Sequence, residues 1–389
     1  MKRSRQKRRG GLGNAAEQLV RLATGLVESG SRAEDRYWEA QLCQVIDEQL
    51  ADDDEDVLNA ALDHLYSAEI RAYEELADFI EARAENALRV SDDHEILLLA
   101  APVLAWSRYR IPATSIPAAV LANLRVHLQA HVLADNARLA LADFLFSPDQ
   151  LPQGYCPTAA FAAAIGRAAL ARQDLHVETE GMPETAHFLS DTRYLLAAVA
   201  VPRGAPLFAW QEEDNSRDQA LAQWRNQGGA CLAPLFPGCA MEVVLPEAYF
   251  AASRQADRQS RPYAIRASVA FLGAELQTPA ANLRAVIAPF FDKQLEEYRI
   301  GFTARDSDSV LHGVVWPLLG PEDEAADIAA DIDAVLRECG LTDIVNLEHR
   351  FPLEYCDDCG APLYPSPEGE IVHAEMPEDH ADQAPRHLH

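Results

Sequence analysis

The chain has 389 residues and a formal net charge of −28 at pH 7; 49% of its residues are hydrophobic and 24% are charged. This composition is typical of a folded protein, and the length exceeds that at which single cores stop growing, so we expect more than one domain. A body this acidic repels phosphate backbones, which argues against nucleic-acid binding by the folded part. No apolar run reaches the ~20 residues that a membrane-spanning helix needs, so no membrane partner is expected.

The chain begins with a tail, residues 1–13, that is rich in Lys and Arg. The tail lacks the apolar core of a secretory signal, and the cysteines are irregularly spaced, so we predict a cytoplasmic protein without a disulfide framework. We also predict that the tail is disordered. RNA, DNA or an anionic surface would suit its charge, although such tails are more often only solvated.

Residues 14–175 are predicted to form an α-helical domain, because apolar residues recur there at helical spacing. Ser31 and Glu34 form a capping box that opens the second helix. The acidic run at 52–56 lacks the alternating ligands of a calcium loop, so we interpret it as favouring the dipole of the next helix. The later helices are predicted at 57–65, 73–88, 94–106, 116–133, 136–146 and 158–171.

His127 and His131 lie one helical turn apart in this domain, a spacing that metal sites use. The other residues of such a motif are missing, and an ordinary core or surface position is the preferred interpretation. The domain also lacks a fixed-period repeat, which predicts an irregular helical array.

A polar stretch at 173–191, with Gly181 and Pro183, predicts a linker, after which strands and helices alternate. The order strand, helix, strand, strand, helix, strand is that of ferredoxin-like sandwiches, and two such units in tandem are predicted for 190–351. The expected fold class is therefore α+β. The strands are predicted at 194–201, 230–236, 241–245, 263–272, 298–304, 310–316 and 341–351, and the helices at 217–226, 247–257, 278–291 and 321–340.

Cys356 and Cys359 are separated by two residues and followed by Gly360, in a segment predicted as a knuckle and hairpin at 352–377. In a zinc knuckle a tight turn presents two thiolates, and the glycine lets backbone N–H groups point at sulfur. The rival interpretation is a redox pair of the thioredoxin type, which requires a helix that the following prolines preclude. The two aspartates between the thiols are expected to raise the thiol pKa values, which also disfavours redox catalysis.

His373 is the predicted third ligand, because a turn at 367–369 folds a second arm back toward the cysteines. We predict a structural zinc held by Cys356, Cys359 and His373, with a metal-free knuckle as the alternative. A catalytic zinc is the least favoured, since no committed base lies nearby. Residues 378–389 are predicted to form a disordered tail. The candidates for a fourth ligand are His380 and Glu375, with Cys339, His349 and a second chain as remoter options.

Three parts of the chain carry a family resemblance: GLVESGSRAEDR at 25–36, LNAALDHL at 58–65, and CDDCGAPLYP at 356–365 with HAEMP at 373–377. Together they resemble the bacterial family called domain of unknown function 2863, over nearly the whole chain. The resemblance implies a cytoplasmic protein of Gram-negative bacteria with one co-inherited architecture. It carries over no catalytic residue.

The sequence contains no nucleophile elbow, Walker loop or complete dinucleotide-binding motif. We therefore expect a non-enzymatic binding or regulatory protein with a protein partner, and oligomeric state is left open. A second hypothesis is an enzyme or small-ligand sensor with a site between the two ferredoxin-like units. A third is association with RNA or the ribosome through the basic tail. The side chains that could converge between the units are Arg266, Arg299, His312 and His349.

Overall fold

The computed structural model describes residues 12–87, 90–185, 188–212, 215–320 and 327–376. Nearly all of the predicted basic tail, the predicted tail at 378–389 and the start of the helix predicted at 321–340 lie outside these ranges. The chain forms a mixed α+β fold with helices at its N-terminus and several sheets, which confirms the predicted fold class at that level. No helix within the described ranges combines the length and apolar character needed to cross a membrane.

Four helices come first and pack around one apolar core that includes Leu19, Ile46 and Leu58. The second of them begins as predicted, because the Ser31 hydroxyl accepts a hydrogen bond of 3.3 Å from the Glu34 N–H. The helices are α1 (Asn14–Val27), α2 (Arg32–Asp52), α3 (Glu55–Ala68) and α4 (Ile70–Glu85).

The first sheet follows, and all of its strand pairs are antiparallel. The order is β2-β3-β1-β4, with β5 also paired to β1. Its strands are β1 (His94–Trp106), β2 (Arg138–Phe146), β3 (Ser190–Pro202), β4 (Ala240–Val243) and β5 (Glu247–Ala248). The helices between these strands are α5 (Ala118–His131), α6 (Tyr155–Ala171), α7 (Arg217–Gln223) and α8 (Gly229–Leu232).

Helices cover both faces of this sheet. On one face α5 and the segment around α8 pack against every second residue of β1, as Leu124 and Leu232 share a core with Leu99. On the other face α6 packs against the alternate residues, as Ile165 shares a core with Leu98. Strands buried on both faces contain long apolar runs, as at 96–106 in β1 and 194–201 in β3.

The second sheet has the order β10-β6-β7-β8. The strands β6, β7 and β8 form an antiparallel meander, and β9 and β10 pair with β6 in parallel. After β10 the chain forms a small separate hairpin of β11 and β12. These strands are β6 (Leu283–Phe291), β7 (Leu295–Ala304), β8 (Val310–Pro317), β9 (Asp343–Asn346), β10 (Phe351–Pro352), β11 (Tyr364–Pro365) and β12 (Ile371–Val372), and α10 (Ile328–Glu338) packs on this sheet.

A long helix, α9 (Tyr249–Glu275), belongs to both sheet cores. Its first half contributes Ala252 and Ala256 to the core of the first sheet. Its second half contributes Ile265 and Leu272 to the core of the second sheet. The two sheets are therefore joined by a shared helix in addition to the chain connection.

Two helices predicted in the N-terminal half are wrong. The segments 94–106 and 136–146 form β1 and β2, so the all-helical part ends with α4. Both segments are near-continuous apolar runs, because the sheet that contains them is covered on both faces. Such a run does not distinguish a doubly buried strand from a buried helix.

Three predicted elements in the second half are also wrong. The strand predicted at 263–272 is the second half of α9, and the strand predicted at 230–236 is helical. The helix predicted at 278–291 is mainly β6, whose alternate residues face two different cores. In 263–272 the apolar residues fit a period of two as well as a helical face, and packing selects the helix.

The predicted tandem ferredoxin-like units therefore do not form from the segments assigned to them. The element order strand, helix, strand, strand, helix, strand occurs earlier in the chain, over β1, α5, β2, β3, α7 with α8, and β4, with α6 as an insertion. The second sheet has a different plan, a meander extended by two parallel strands.

Candidate metal centre and the adjoining cavity

The residues after β10, 353–376, form what we call the C-terminal arm. A tight turn at its beginning carries the two cysteines, and the Gly360 N–H donates a 2.8 Å hydrogen bond to the Cys356 carbonyl. The Cys356 N–H donates a 2.7 Å bond to the carbonyl of Ala361, which closes the turn. Gly360 has φ +73°, a left-handed conformation that glycine adopts without strain.

Backbone amides of this turn point at the sulfur atoms. The N–H groups of Asp358 and Cys359 hydrogen-bond to the Cys356 sulfur and lower the pKa of this thiol. Asp358 raises the pKa of Cys356, as predicted, but by less than the amides lower it, so the net shift of this thiol is downward. The Ala361 N–H also lowers the pKa of Cys359, but loss of hydration and the Cys356 sulfur raise it more, so the net shift is upward.

The second strand of the small hairpin brings His373 to the cysteines. The β11 and β12 strands pair Tyr364 with Val372, and His373 follows directly. Its Nε2 lies 3.3 Å from the Cys359 sulfur. Ligand atoms of Cys356, Cys359 and His373 all lie within 4.8 Å of one another. The three residues singled out in the sequence thus meet at one point.

Two thiols and one imidazole are a donor set that suits zinc, and the spacing of their ligand atoms is compatible with one ion between them. The other ring nitrogen of His373, Nδ1, lies 3.8 Å from a carboxylate oxygen of Glu375. At that distance Glu375 makes no hydrogen bond to Nδ1, but it lies on the side of the ring from which carboxylates orient metal-bound imidazoles.

The other candidates for a fourth ligand do not join the cluster in the part of the chain that the structure describes. His349 packs against the Phe351 ring at 4.1 Å between centroids. Cys339 lies at the end of α10, beside Arg266 in a different surface cleft. His380 lies outside the described residues.

A buried arginine of β7 attaches the arm to the second sheet. The Arg299 side chain is 0% exposed, and its Nη1 donates to the carbonyls of Glu354 and Leu363 at 2.6 and 2.8 Å. Its Nε donates to Glu297 at 2.6 Å. The guanidinium also lies over the rings of Phe290 and Tyr355, 4.4 and 4.9 Å from their centroids. Sequence reasoning missed this role, since a lone Arg in an apolar strand carries no signal of its distant partners.

A cavity of about 480 Å³ lies beside the knuckle. Its walls come from the end of β1, the start of β3, α9, β8 and the C-terminal arm. His373 and Gly360 belong to the wall, so the candidate metal centre borders the cavity directly. Aromatic side chains form much of the wall: Trp106, Phe188, Phe271, Tyr355 and Tyr364.

One polar pair in this wall is deeply buried. His312 Nε2 and the Ser268 hydroxyl lie 2.9 Å apart and share a hydrogen bond. Burial lowers the pKa of His312 to about 4, so that the ring is neutral at pH 7. No charged group is needed to explain this shift.

Comparison with known families decides the classification. The family described as "Protein of unknown function (DUF2863)" matches residues 4–387. The chain belongs to the DUF2863 family. No curated protein and no solved structure matches it.

In this DUF2863 protein the four side chains expected to converge between the predicted units do not meet. His312 lines the cavity, whereas Arg299 lies under the arm. Arg266 is an exposed residue that pairs with Glu242 at 3.4 Å, and His349 packs on Phe351. The cavity that does form lies between the two sheets, and α9 contributes to its wall.

His127 and His131 stack on the surface of α5 with centroids 6.0 Å apart. His131 contacts the Gln227 side chain at 3.2 Å. Neither histidine belongs to a group of three potential ligands in the described ranges.

Proposed function

We propose that this DUF2863 protein is a non-enzymatic binding protein in which a structural zinc, held by Cys356, Cys359 and His373, fixes the C-terminal arm. The observation that supports this most is the turn itself, in which three backbone amides point at two sulfurs while a histidine approaches from a second strand. Such amides stabilise thiolate charge, which a bound dication requires.

The composition of the arm explains why a metal would be needed. Each strand of its hairpin has only two residues, and its buried apolar residues are Ala361 and Pro365. So small an apolar core does not offset the entropy of ordering more than twenty residues. Arg299 supplies one attachment, and a metal cross-link between the turn and the hairpin supplies the second.

The test is metal analysis of the purified full chain. We expect about one zinc per chain in the wild type, and loss of most of it in Cys356→Ser and in Cys359→Ser. Cys339→Ser and Cys43→Ser are matched controls, because both cysteines lie outside the cluster, and both are expected to keep the metal. A wild type purified without zinc, or a Cys359→Ser variant that keeps it, would contradict the proposal.

A second candidate is a metal-dependent enzyme, and one observation favours it. The described residues offer three ligands beside a cavity, and catalytic zinc sites combine three protein ligands with an open position. Against it, two titratable groups of the wall that could act as a base are engaged, Glu297 by Arg299 and His312 by Ser268. Visible spectra of the cobalt-substituted protein separate the two: a spectrum altered by azide supports an open site, and an unaltered one supports the structural role.

A further inference from the structure

The cavity beside the knuckle is enclosed by parts of the chain that are distant in sequence. Trp106 ends β1, Phe271 belongs to α9, and Tyr355 and Tyr364 belong to the C-terminal arm. Trp106 and Phe271 are themselves in contact, with centroids 4.9 Å apart. At about 480 Å³ the space is of the size that binds small molecules.

Glu297 and Arg108 in the described wall each have an oppositely charged partner, while the buried Nε–H of Arg108 has no hydrogen-bond partner. Glu297 accepts a hydrogen bond from Arg299, and Arg108 donates to Glu275 at 2.8 Å. A charged ligand would lose its hydration and find these opposite charges already occupied, which would weaken its binding. The wall therefore favours an uncharged occupant.

Flat aromatic walls favour a flat aromatic occupant, because rings stack at a gain beyond the area that they bury. The buried pair of Ser268 and His312 adds one polar point to this wall. The serine oxygen keeps a lone pair beyond its contact with the histidine, so it can accept a hydrogen bond from a hydroxyl or an amine of the occupant.

We propose that this cavity is a binding site for a neutral aromatic small molecule with one hydrogen-bonding group. One wall of the site is the C-terminal arm, so its shape rests on the proposed metal centre, while the remaining walls are independent of it. The site would make the protein a small-ligand sensor or carrier, with the arm as the segment that contacts both ligand and metal.

The experiment uses two fluorescent probes with the same ring system. N-phenyl-1-naphthylamine is neutral and has one N–H, and 8-anilino-1-naphthalenesulfonate carries a sulfonate. We expect the neutral probe to bind saturably at about one site per chain. The affinity of the anionic probe is expected to be lower by about tenfold or more. Equal binding of both probes would overturn the proposal.

The second part of the test uses substitutions that fill the cavity. Ala264 on α9 and Val315 on β8 both line the cavity, and Ala264→Trp and Val315→Trp are each expected to weaken binding of the neutral probe by about tenfold or more. Ala274→Trp is the matched control, because Ala274 is exposed on the same helix as Ala264 and its substitution should leave binding unchanged. Two variants on different elements guard against a folding defect in one.

Zinc content measured on the same samples separates this inference from the proposed function. A chain that binds the probe at the cavity but holds no zinc would contradict the metal centre and support the cavity site. A zinc-loaded chain whose probe binding is absent, or unaffected by both cavity-filling substitutions, would overturn the cavity site and leave the metal centre in place.

Discussion

Arg299 shows how much one residue contributes to the position of the arm. Its guanidinium is fully buried, bonded to one carboxylate and two carbonyls, and stacked on two rings. Burying a charge is unfavourable unless its partners compensate. Removing the arginine would leave Glu297 and two backbone carbonyls without their donor.

We predict that Arg299→Met lowers the free energy of unfolding by about 3–5 kcal/mol, as for other buried pairs that lose one partner. Arg305→Met is the matched control, at the position that directly follows the same strand. The Arg305 side chain is 59% exposed and lies 3.7 Å from Asp343, so the loss should be about 1 kcal/mol or less. Urea denaturation measures both, and equal losses would contradict the role assigned to Arg299.

His312 predicts a pH dependence. Its pKa falls from 6.5 in the unfolded chain to about 4 in the fold, because burial disfavours the charged ring. The stability that the neutral ring provides is complete above about pH 6.5 and is lost as pH falls toward 4, since the unfolded chain binds the extra proton. The full loss is about 3 kcal/mol. Denaturation curves of the wild type and of His312→Gln between pH 7 and 4 test this prediction. An equal loss of unfolding free energy in both proteins over this pH range would contradict it.

For individual residues, the sequence predicted contacts between positions that are close together in the chain. The CxxCG spacing predicted the two cysteines as a pair, and the turn at 367–369 predicted the return of His373, both because short turns define geometry within a few residues. The partners of Arg299 are separated from it by 55 and 64 positions. No local pattern predicts such contacts.

The two strands that were predicted as helices in the N-terminal half, β1 and β2, were missed for one physical reason. A helix buried all round and a strand buried on both faces both appear as unbroken apolar runs. Pro102 did not distinguish a strand from a helix in the segment that forms β1. On one edge β1 pairs with β5 at Leu99 and Ala100 and with β4 from Val103 onward. Pro102 lies between those two partners, where a missing N–H costs least.

One contact between elements joins the helical part to the first sheet. Glu55, in the first turn of α3, accepts hydrogen bonds from the backbone N–H groups of Tyr155 and Cys156 at 2.9 and 2.8 Å. It therefore caps the start of α6, where the helix dipole favours a carboxylate. The acidic run at 52–56 was interpreted as serving its own helix, and the partner of Glu55 is a helix about a hundred residues away.

We predict that Glu55→Ala destabilises the protein by about 1.5–3 kcal/mol, the usual loss for hydrogen bonds to a charged group. Asp56→Ala is the control, because Asp56 is exposed in the same helical turn and should cost about 1 kcal/mol or less. Thermal denaturation with circular dichroism compares the two. A control as harmful as Glu55→Ala would show that the charge serves α3 alone.

The whole molecule depends on α9. Because its two halves lie in the cores of different sheets, the loss of either core removes the packing that holds half of the helix. The order of predicted elements could not reveal this, since a helix of 27 residues was divided into a helix and a strand.

We predict that the two sheets unfold in one transition. Trp224 lies in the core of the first sheet and Trp316 in that of the second, so intrinsic fluorescence reports on both. Fluorescence and far-ultraviolet circular dichroism should give the same midpoint in urea. Two separated midpoints would show that α9 does not couple the cores.

The most direct test of the metal-fixed arm is X-ray absorption at the zinc edge of the purified protein. The geometry of Cys356, Cys359 and His373 predicts two sulfur scatterers at about 2.3 Å and imidazole nitrogen at about 2.0 Å. A spectrum with only oxygen and nitrogen neighbours, unchanged in Cys359→Ser, would contradict the account.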